Sequence, residues 1–385
     1  MRIVKLTKES KNNILEGMLK RSPNNYGSYE SVVADILANI KENGDKALFE
    51  YTKKFDKFDL NKDNIRVTEE EIKGAYSKVS EDLLTVIKKS LVNVKSYHEK
   101  QRQNSWFNST EDGTILGQKV TPLERVGVYV PGGKAVYPSS VLMNIVPAKV
   151  AGVKEIIMTT PCNSEGEVNP AVLVAANEAG VDEVYKVGGA QAIGALAYGT
   201  DSIKKVDKIV GPGNIYVALA KKAVYGFVNI DSIAGPSEIL VIADETANPR
   251  FVAADLLSQA EHDELASAIL ITTSEDFAKK VSAEVDKFVA VLSRKEIISK
   301  SLDNFGYILV AENMDEAIDA ANEIASEHLE IQTADPFQIH FTGSHGFGGT
   351  DNVFASVAQI AGHQIIFFKP GQYLRRWKSI IADTI

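Results

Sequence analysis

The sequence predicts an α/β protein with two βαβ modules and parallel sheets, preceded by a helical N-terminal region. From about residue 124 onward, short β-rich runs alternate with helical stretches, an alternation typical of parallel sheets. The alternation restarts after Ala234-Gly-Pro-Ser237, where we place a boundary between the modules. The chain has 385 residues, which is more than one ordinary hydrophobic core accommodates.

The N-terminal region, residues 1–105, is charged and shows the apolar spacing of helices. Asn43-Gly44-Asp45 predicts a break in this pattern before the apolar run Ala47-Leu48-Phe49. We expect Trp106, just after this region, to lie in a hydrophobic core.

Glycine turns follow the predicted strands of the first module. These strands cover 126–130, 155–159, 183–187 and 208–210, and the turns are Pro131-Gly-Gly133, Gly188-Gly-Ala-Gln191 and Gly211-Pro-Gly-Asn214. Turns after parallel strands lie at the carboxyl edge of a sheet, where open α/β sheets bind ligands. Glycine there lets a phosphate or a sugar approach the backbone. Ordinary turn geometry is the alternative, because the dinucleotide fingerprint Gly-x-Gly-x-x-Gly is absent.

In the second module, strands are predicted at 238–243, 267–273 and 307–311. A helix over 251–262 would carry Asp255, Gln259 and His262 on one stripe, with its apolar residues opposite. Gln259 and His262 can then aim at one point, as two ligands of a zinc ion would. The alternative is a solvated helix face that ends in a histidine, where positive charge suits the helix dipole.

Glu327 and His328 follow a predicted helix over 314–326 and are expected at its end. Histidine is suited to general base catalysis near neutral pH, and a glutamate beside it can activate water. The alternative is a capping histidine next to a surface glutamate.

Composition excludes several classes of function. The formal net charge of −9 argues against sequence-independent nucleic-acid binding. Cys162 is the only cysteine, so there is no internal disulfide, and its place in a loop after a proline predicts no catalytic role. No apolar run is long enough to span a membrane, and the first ten residues are too charged for a signal peptide. We expect a cytoplasmic protein.

Taken together, these motifs resemble the histidinol dehydrogenase family, whose members use zinc and NAD to complete histidine biosynthesis. The resemblance extends from about Val32 to Pro336. Its carriers are Gly44-Asp-Lys-Ala-Leu48, Phe55-Asp56, Gly127-Val-Tyr-Val-Pro-Gly-Gly133, Val187-Gly-Gly-Ala-Gln-Ala192, Val210-Gly-Pro-Gly-Asn214, Ala234-Gly-Pro-Ser-Glu238, Asp255-Leu-Leu-Ser-Gln-Ala-Glu-His262 and Ser326-Glu-His-Leu329.

The resemblance implies oxidation of L-histidinol by two NAD⁺ through L-histidinaldehyde to L-histidine. By motif, Gln259 and His262 match zinc ligands that also face the substrate, and Ser237 matches a substrate contact. His328, which also binds substrate, would accept the alcohol proton, while Glu327 would activate the water that attacks the aldehyde. The matching NAD contacts are Tyr129, Gln191 and Asn214.

The family resemblance also implies a homodimer with two incomplete Rossmann-like domains. On this pattern residues 1–25 form an N-terminal arm, and 26–128 join 239–337 in a first α/β domain that holds the catalytic and zinc half-site. Residues 129–238 form an inserted NAD-binding domain, and 338–385 an atypical tail.

The tail departs from the family after about Phe337. The family's Gly-Asp-Tyr aspartate, which is a zinc ligand, its Asn-His-Val-Leu-Pro-Thr segment and its terminal arm are not found there. Among 51 acidic residues only Asp351 and Asp383 fall in 338–385. We interpret the tail as a frameshifted end. One alternative is a divergent tail in which Asp351 or His363 replaces lost ligands. The alternative function is a catalytically inactive homologue that retains nucleotide binding or dimerisation.

Overall fold

The computed structural model describes residues 1–19, 27–132, 137–233, 235–336, 339 and 364–367. In chain order its elements are β1 (Arg2–Lys5), α1 (Lys8–Leu19), α2 (Gly27–Phe55), α3 (Glu69–Ser77), α4 (Glu81–Glu99), β2 (Trp106–Ser109), β3 (Ile115–Gln118), β4 (Arg125–Tyr129), α5 (Pro138–Ala151), β5 (Glu155–Thr159), α6 (Pro170–Ala179), β6 (Glu183–Tyr185), α7 (Gly189–Tyr198), β7 (Lys208–Val210), α8 (Ile215–Val224), β8 (Asn229–Ile230), β9 (Glu238–Ala243), α9 (Pro249–Ala260), β10 (Ser267–Thr272), α10 (Glu275–Val291), α11 (Lys295–Phe305), β11 (Gly306–Val310), α12 (Met314–Ile324), β12 (His328–Gln332) and β13 (Gln364–Phe367).

The chain divides into two compact units, Met1–Asn25 with Gly235–Ile385, and Tyr26–Ala234. The division falls within the segment after which the alternation of strands and helices restarts. The first unit contains a six-stranded sheet and the second a five-stranded sheet, and all strand pairs in both are parallel. The predicted fold class, α/β with parallel sheets and a helical N-terminal region, is therefore confirmed.

In the unit formed by 26–234, the strand order is β6-β5-β4-β7-β8. Because β4 has β5 on one side and β7 on the other, the order reverses at β4, as in doubly wound nucleotide-binding sheets. Helices cover both faces. On one face, helices α2, α7 and α8 form a core with sheet residues such as Ile157 and Ile209. On the other face, the four helices α3, α4, α5 and α6 form a core with sheet residues such as Val128 and Met158.

Residues 26–128 pack within this unit. The apolar stripe of α2 places Leu37 and Ile40 so close to α7 that a Cβ at Gly194 would lie 3.2 Å from either side chain. This arrangement differs from the predicted layout, which grouped 26–128 with 239–337. The physical reason is that the buried apolar side chains of α2 pack against α7 and α8 of this unit.

The predicted break near Asn43 is confirmed. Gly44 interrupts α2 with φ 51° and ψ −128°, a conformation that residues with a side chain rarely adopt. The buried Asp45 that follows binds the Ser202 hydroxyl at 2.6 Å, which ties the kink to the loop after α7.

The prediction that Trp106 lies in a core is wrong. Trp106 is 56% exposed in the antiparallel pair β2–β3, whose residues are exposed on both strands. An apolar pattern of four residues cannot tell a covered strand from an uncovered one.

In the other unit, the strand order is β1-β11-β10-β9-β12-β13. Here β9 lies between β10 and β12, so the order reverses at β9. Helices α1 and α12 pack on one face, while α9, α10 and α11 pack on the other. In both Rossmann-like sheets, therefore, the strand order reverses at an interior strand.

Of the atypical tail, the structure describes Ile339 and β13, which pairs with β12 in the register His328 to Gln364. Asp351, His363 and Asp383 lie outside the described residues. Among the helices that the structure does describe, none has the length and apolarity needed to cross a membrane.

Candidate active site

The predicted substrate, zinc and catalytic residues gather at the amino edge of the six-stranded sheet. Ser237 immediately precedes β9, and its carbonyl accepts the Ser267 N–H at 3.0 Å where β10 begins. His328 is the first residue of β12 and pairs with Ile239 of β9. Helix α9 follows β9 and returns to the same edge. Open α/β sheets usually bind ligands at the opposite, carboxyl edge, so this location was not predictable from fold class.

Helix α9 presents Gln259 and His262 at its end. It begins with Asn248 as N-cap and Pro249 in the first turn, a common start signal, and its last residue is Ala260. It therefore ends two residues before the predicted position. Gln259 is half-buried, whereas His262 is exposed beyond the helix, with its N–H bound to the Gln259 carbonyl at 3.0 Å. The Arg294 guanidinium donates to the His262 carbonyl at 3.4 Å.

Glu327 and His328 do not end a helix, contrary to expectation. Helix α12 stops at Ile324, and Ala325 adopts the left-handed conformation with φ 49°, which redirects the chain into β12. His328 therefore belongs to a strand and does not cap the helix. Its Nε2 lies 4.0 Å from Glu327 Oε1, and the two side chains are 24% and 54% exposed. A half-buried imidazole beside a solvent-facing carboxylate can exchange protons with a ligand and with water.

A buried polar network lies directly behind these residues. Gln332 Nε2 donates to Asp255 Oδ2 at 2.7 Å and to Glu330 Oε2 at 3.0 Å. All three side chains are buried. The stripe that carries Asp255 is thus not a solvated helix face, and that alternative is wrong for this part of the helix.

The network sets the relative position of Gln259 and His328. From Asp255 to Gln259 the helix advances four residues toward the amino edge, about 6 Å. From Glu330 back to His328 the strand covers two residues in the same direction, also about 6 Å. Since Asp255 and Glu330 share one donor, we infer that Gln259 and His328 lie at a similar level on the same face of the sheet.

The fold favours the protonated form of Glu330. Burial is the main cause that raises its pKa well above the usual range, and the negative charge of Asp255 adds to it. The protonated Glu330 can donate to Asp255, so two carboxyl groups stay close without two full charges. Neither Glu330 nor Gln332 was predicted from the sequence. The available signal was their alternation with Leu329 and Ile331, which places both on the side of His328.

The residues predicted to contact NAD lie at the carboxyl edge of the other sheet. Tyr129 ends β4, and its hydroxyl accepts the Gly189 N–H at 3.0 Å at the start of α7. Burial raises the pKa of Tyr129 to about 12, so its hydroxyl stays protonated. Gln191, in the first turn of α7, is buried, and its Oε1 has no hydrogen-bond partner among the described residues. Asn214 caps α8 by accepting the Val217 N–H at 3.2 Å.

The turn after β7 is held rigidly against β4. The Gly211 N–H donates to Asp231 at 2.7 Å, and the buried Lys221 donates to the Gly211 carbonyl at 2.9 Å while pairing with Asp231. Gly211 has φ 116°, and a Cβ there would lie 2.1 Å from the Tyr129 carbonyl oxygen. Lys221 was not predicted, because a lysine on a helix gives no signal of burial.

Gly211→Ala should destabilise the protein by about 1–3 kcal/mol from backbone strain, with an added cost from the clash. The matched control is Gly226→Ala. Gly226 has φ 106°, and a Cβ there would meet nothing within 4 Å among the described residues. The Gly226→Ala variant therefore measures the cost of backbone strain without a clash. Urea unfolding of both variants measures the difference. Equal losses would show that the contact with Tyr129 is unimportant.

A cavity of about 390 Å³ opens at the ends of β4 and β5. Its lining includes Asp56, Pro131, Gly132, Pro161, Cys162 and Pro170. This volume lies in the range of small-molecule sites. Burial raises the pKa of Cys162 to about 11, which favours the protonated thiol, a poor nucleophile.

Among the described residues, the donors at the amino edge of the six-stranded sheet supply only part of a zinc site. Gln259 and His262 offer one amide oxygen and one imidazole nitrogen, whereas catalytic zinc sites use three protein ligands. Within the described residues, no group of three or more His, Cys, Asp and Glu side chains is placed to hold a metal ion.

Comparison with known proteins links the chain to one family. A family model described as histidinol dehydrogenase matches residues 19–344. The histidinol dehydrogenase of Clostridium acetobutylicum is 61% identical over 303 residues, which cover 79% of this chain and 70% of that protein. For the Geobacillus kaustophilus protein of the same name, identity is 57% over 307 residues, with 80% and 72% covered. A crystal structure of histidinol dehydrogenase from Elizabethkingia anophelis superposes with a TM-score of 0.84 at 37% identity, covering 96% of this chain and 80% of that one.

Proposed function

Because the chain belongs to the histidinol dehydrogenase family, we propose that it oxidises L-histidinol to L-histidine with NAD⁺. The observation that supports this most directly is the buried network of Asp255, Glu330 and Gln332, which joins the helix that carries Gln259 to the strand that carries His328. The comparisons give no support to the alternative of an inactive homologue.

The reaction converts a primary alcohol and one water into a carboxylate, with loss of two hydrides and three protons. NAD⁺, when bound, accepts the hydrides, one per molecule. His328 takes the hydroxyl proton of histidinol in the first oxidation. Glu327 takes a proton from the water that adds to the aldehyde before the second. Its exposed carboxylate can pass protons on to solvent.

Ser237, Gln259 and His262 would hold and orient the substrate at the amino edge of the six-stranded sheet. They come from a strand start and from a helix end whose backbones are held by hydrogen bonds, which supports the proposed role in orienting the substrate. We also propose Gln259 and His262 as two ligands of zinc, whose chemistry when bound is to polarise the substrate oxygen.

Tyr129, Gln191 and Asn214 are the proposed NAD contacts. Two features of the structure suit a dinucleotide: the cavity beside the turn after β4, and the buried Gln191 oxygen that has no partner among the described residues. Tyr129 would act mainly by position, because its hydroxyl already holds the start of α7. The homodimer follows from the family resemblance and the cytoplasmic location from the composition of the sequence, and both remain predictions.

The test is formation of NADH by the purified 385-residue chain with L-histidinol, NAD⁺ and added zinc. We expect two NADH per histidinol consumed and L-histidine as product, with loss of activity after chelation and recovery with zinc. His98→Ala is a control that should retain full rate, because His98 lies near the end of α4 and is not among the residues proposed to bind substrate, zinc or NAD. A folded protein that forms no NADH would contradict the proposed function, and one NADH per histidinol would contradict the second oxidation.

A further inference from the structure

Asp56 is a half-buried acid with one carboxyl oxygen that lacks a polar partner among the described residues. It directly follows α2, where its N–H donates to the Thr52 carbonyl at 2.8 Å. Its Oδ2 is shielded from solvent and accepts no hydrogen bond within the described part of the chain. The carboxyl group lines the 390 Å³ cavity, where the other acid, Glu167, pairs with Lys78 at 3.2 Å. Among the described residues, no lysine, arginine or histidine lines this cavity.

This unpaired carboxyl is unfavourable in the free protein. Burial raises the pKa of Asp56 to about 6, so at neutral pH it carries a charge that no described lining residue neutralises. The negative charge of Asp56 also contributes to the raised pKa values of the Tyr129 hydroxyl and the Cys162 thiol. The ammonium group of the nearby Lys186 forms an ion pair with Glu71 and not with Asp56. A shielded acceptor left unsatisfied costs free energy unless a ligand supplies the donor.

The position in the fold indicates which ligand supplies it. In doubly wound dinucleotide sites an acid that follows the second strand binds the ribose hydroxyls of NAD. Here the second strand of the unit's parallel sheet is β5, and it is followed by Thr160-Pro-Cys-Asn163, without an acid. Asp56 enters the same cavity from the end of α2 instead. Pro131, Pro161 and Pro170 add flat apolar surface suited to an adenine ring.

We propose that Asp56 accepts hydrogen bonds from the adenosine ribose hydroxyls of NAD and thereby selects NAD over NADP. This inference rests on the proposed NAD-dependent function. The 2′-hydroxyl satisfies the shielded carboxylate, whereas a 2′-phosphate would place negative charge against it in a cavity whose described lining holds no cation.

The test compares binding of NAD⁺ and NADP⁺ to the full chain by calorimetry, without substrate. Wild type should bind NAD⁺ more tightly. Asp56→Asn should weaken NAD⁺ binding about tenfold and lower the NAD⁺/NADP⁺ affinity ratio at least as much. Asp201→Asn, at an exposed aspartate paired with Lys62, is the matched control and should leave both affinities unchanged.

The outcomes separate the two proposals. If wild type binds neither nucleotide, the NAD-dependent function fails. If it binds NAD⁺ and the affinity ratio is the same in Asp56→Asn, the function stands and the role of Asp56 is overturned.

The pH dependence of folding stability is a second measurement, and it distinguishes the proposed ligand-binding role of Asp56 from a structural role. An aspartate with a folded-state pKa of about 6, raised from 3.8, loses folding stability as pH increases through this interval. The ligand-free Asp56→Asn variant should therefore unfold at a higher temperature than wild type at pH 7.5, but not at pH 4. A variant less stable than wild type at pH 7.5 would mean that the carboxylate has a structural partner, which overturns the inference.

Discussion

Replacing His328 by glutamine should lower kcat for L-histidinol oxidation by about 10²- to 10⁴-fold, the usual contribution of a general base. Glutamine keeps the size and a hydrogen-bonding group but cannot accept a proton. The side chain is 24% exposed at the first position of β12, so the variant should fold normally. Thermal unfolding provides this control, and steady-state NADH formation measures the loss.

Glu327→Gln separates the two oxidations. Because Glu327 is proposed to activate water, this variant should slow the conversion of L-histidinaldehyde to L-histidine more than the oxidation of the alcohol. Single-turnover measurements with each substrate distinguish the steps. The assigned roles would be incorrect if His328→Gln retained most of the wild-type kcat, or if Glu327→Gln slowed both steps to the same degree.

Replacing Glu330 by leucine should destabilise the protein by about 1–3 kcal/mol and also lower kcat. Leucine removes the acceptor for Gln332 Nε2 and the donor to Asp255, and so leaves a buried aspartate with fewer partners. We expect kcat to fall because the network joins the helix that carries Gln259 to the strand that carries His328, so its loss would displace these two side chains. Glu330→Gln is the matched variant, because its amide donates to Asp255 and accepts from Gln332 without needing a proton.

The pH dependence of stability tests the protonation of Glu330. A carboxyl group whose pKa is raised by folding binds more protons in the folded state, so its contribution to stability declines as pH rises above its unfolded value of about 4.5. Glu330→Gln removes this decline. We expect it to gain stability relative to wild type in urea titrations over the pH range above about 4.5. A constant difference across this range would show that Glu330 is ionised in the folded protein.

Much of the fold follows from local patterns. The strands at 155–159, 208–210 and 238–243 occur where β-rich runs predicted them, because buried parallel strands are short continuous apolar segments. Gly44 marked the kink in α2, because few other residues adopt its conformation. Trp106 was misplaced, since a short apolar pattern does not reveal whether another element covers it.

The candidate site was predictable in part. The resemblance of long motifs selected Ser237, Gln259, His262, Glu327 and His328, but spacing alone favoured neither a zinc site nor an acid–base pair. The turn at Ala325 moved His328 from a helix end to a strand, which local propensity did not indicate. The sequence did not predict that the charged groups of Asp56 and Lys221 are shielded from water, because burial depends on elements far away in the chain.

The sequence by itself determined the α/β class, the repeated winding of strands and helices, and the family. These properties depend on hydrophobic period, glycine and proline positions, and motif order, all of which are local in the chain. Only the tertiary structure decided that the catalytic candidates meet at the amino edge of their sheet, that Asp255 joins Glu330 and Gln332 behind them, and that α2 delivers Asp56 to a cavity. These depend on which distant segments pack together and on how far water is excluded, and the resulting pKa values and unpaired groups exist only once the chain has folded.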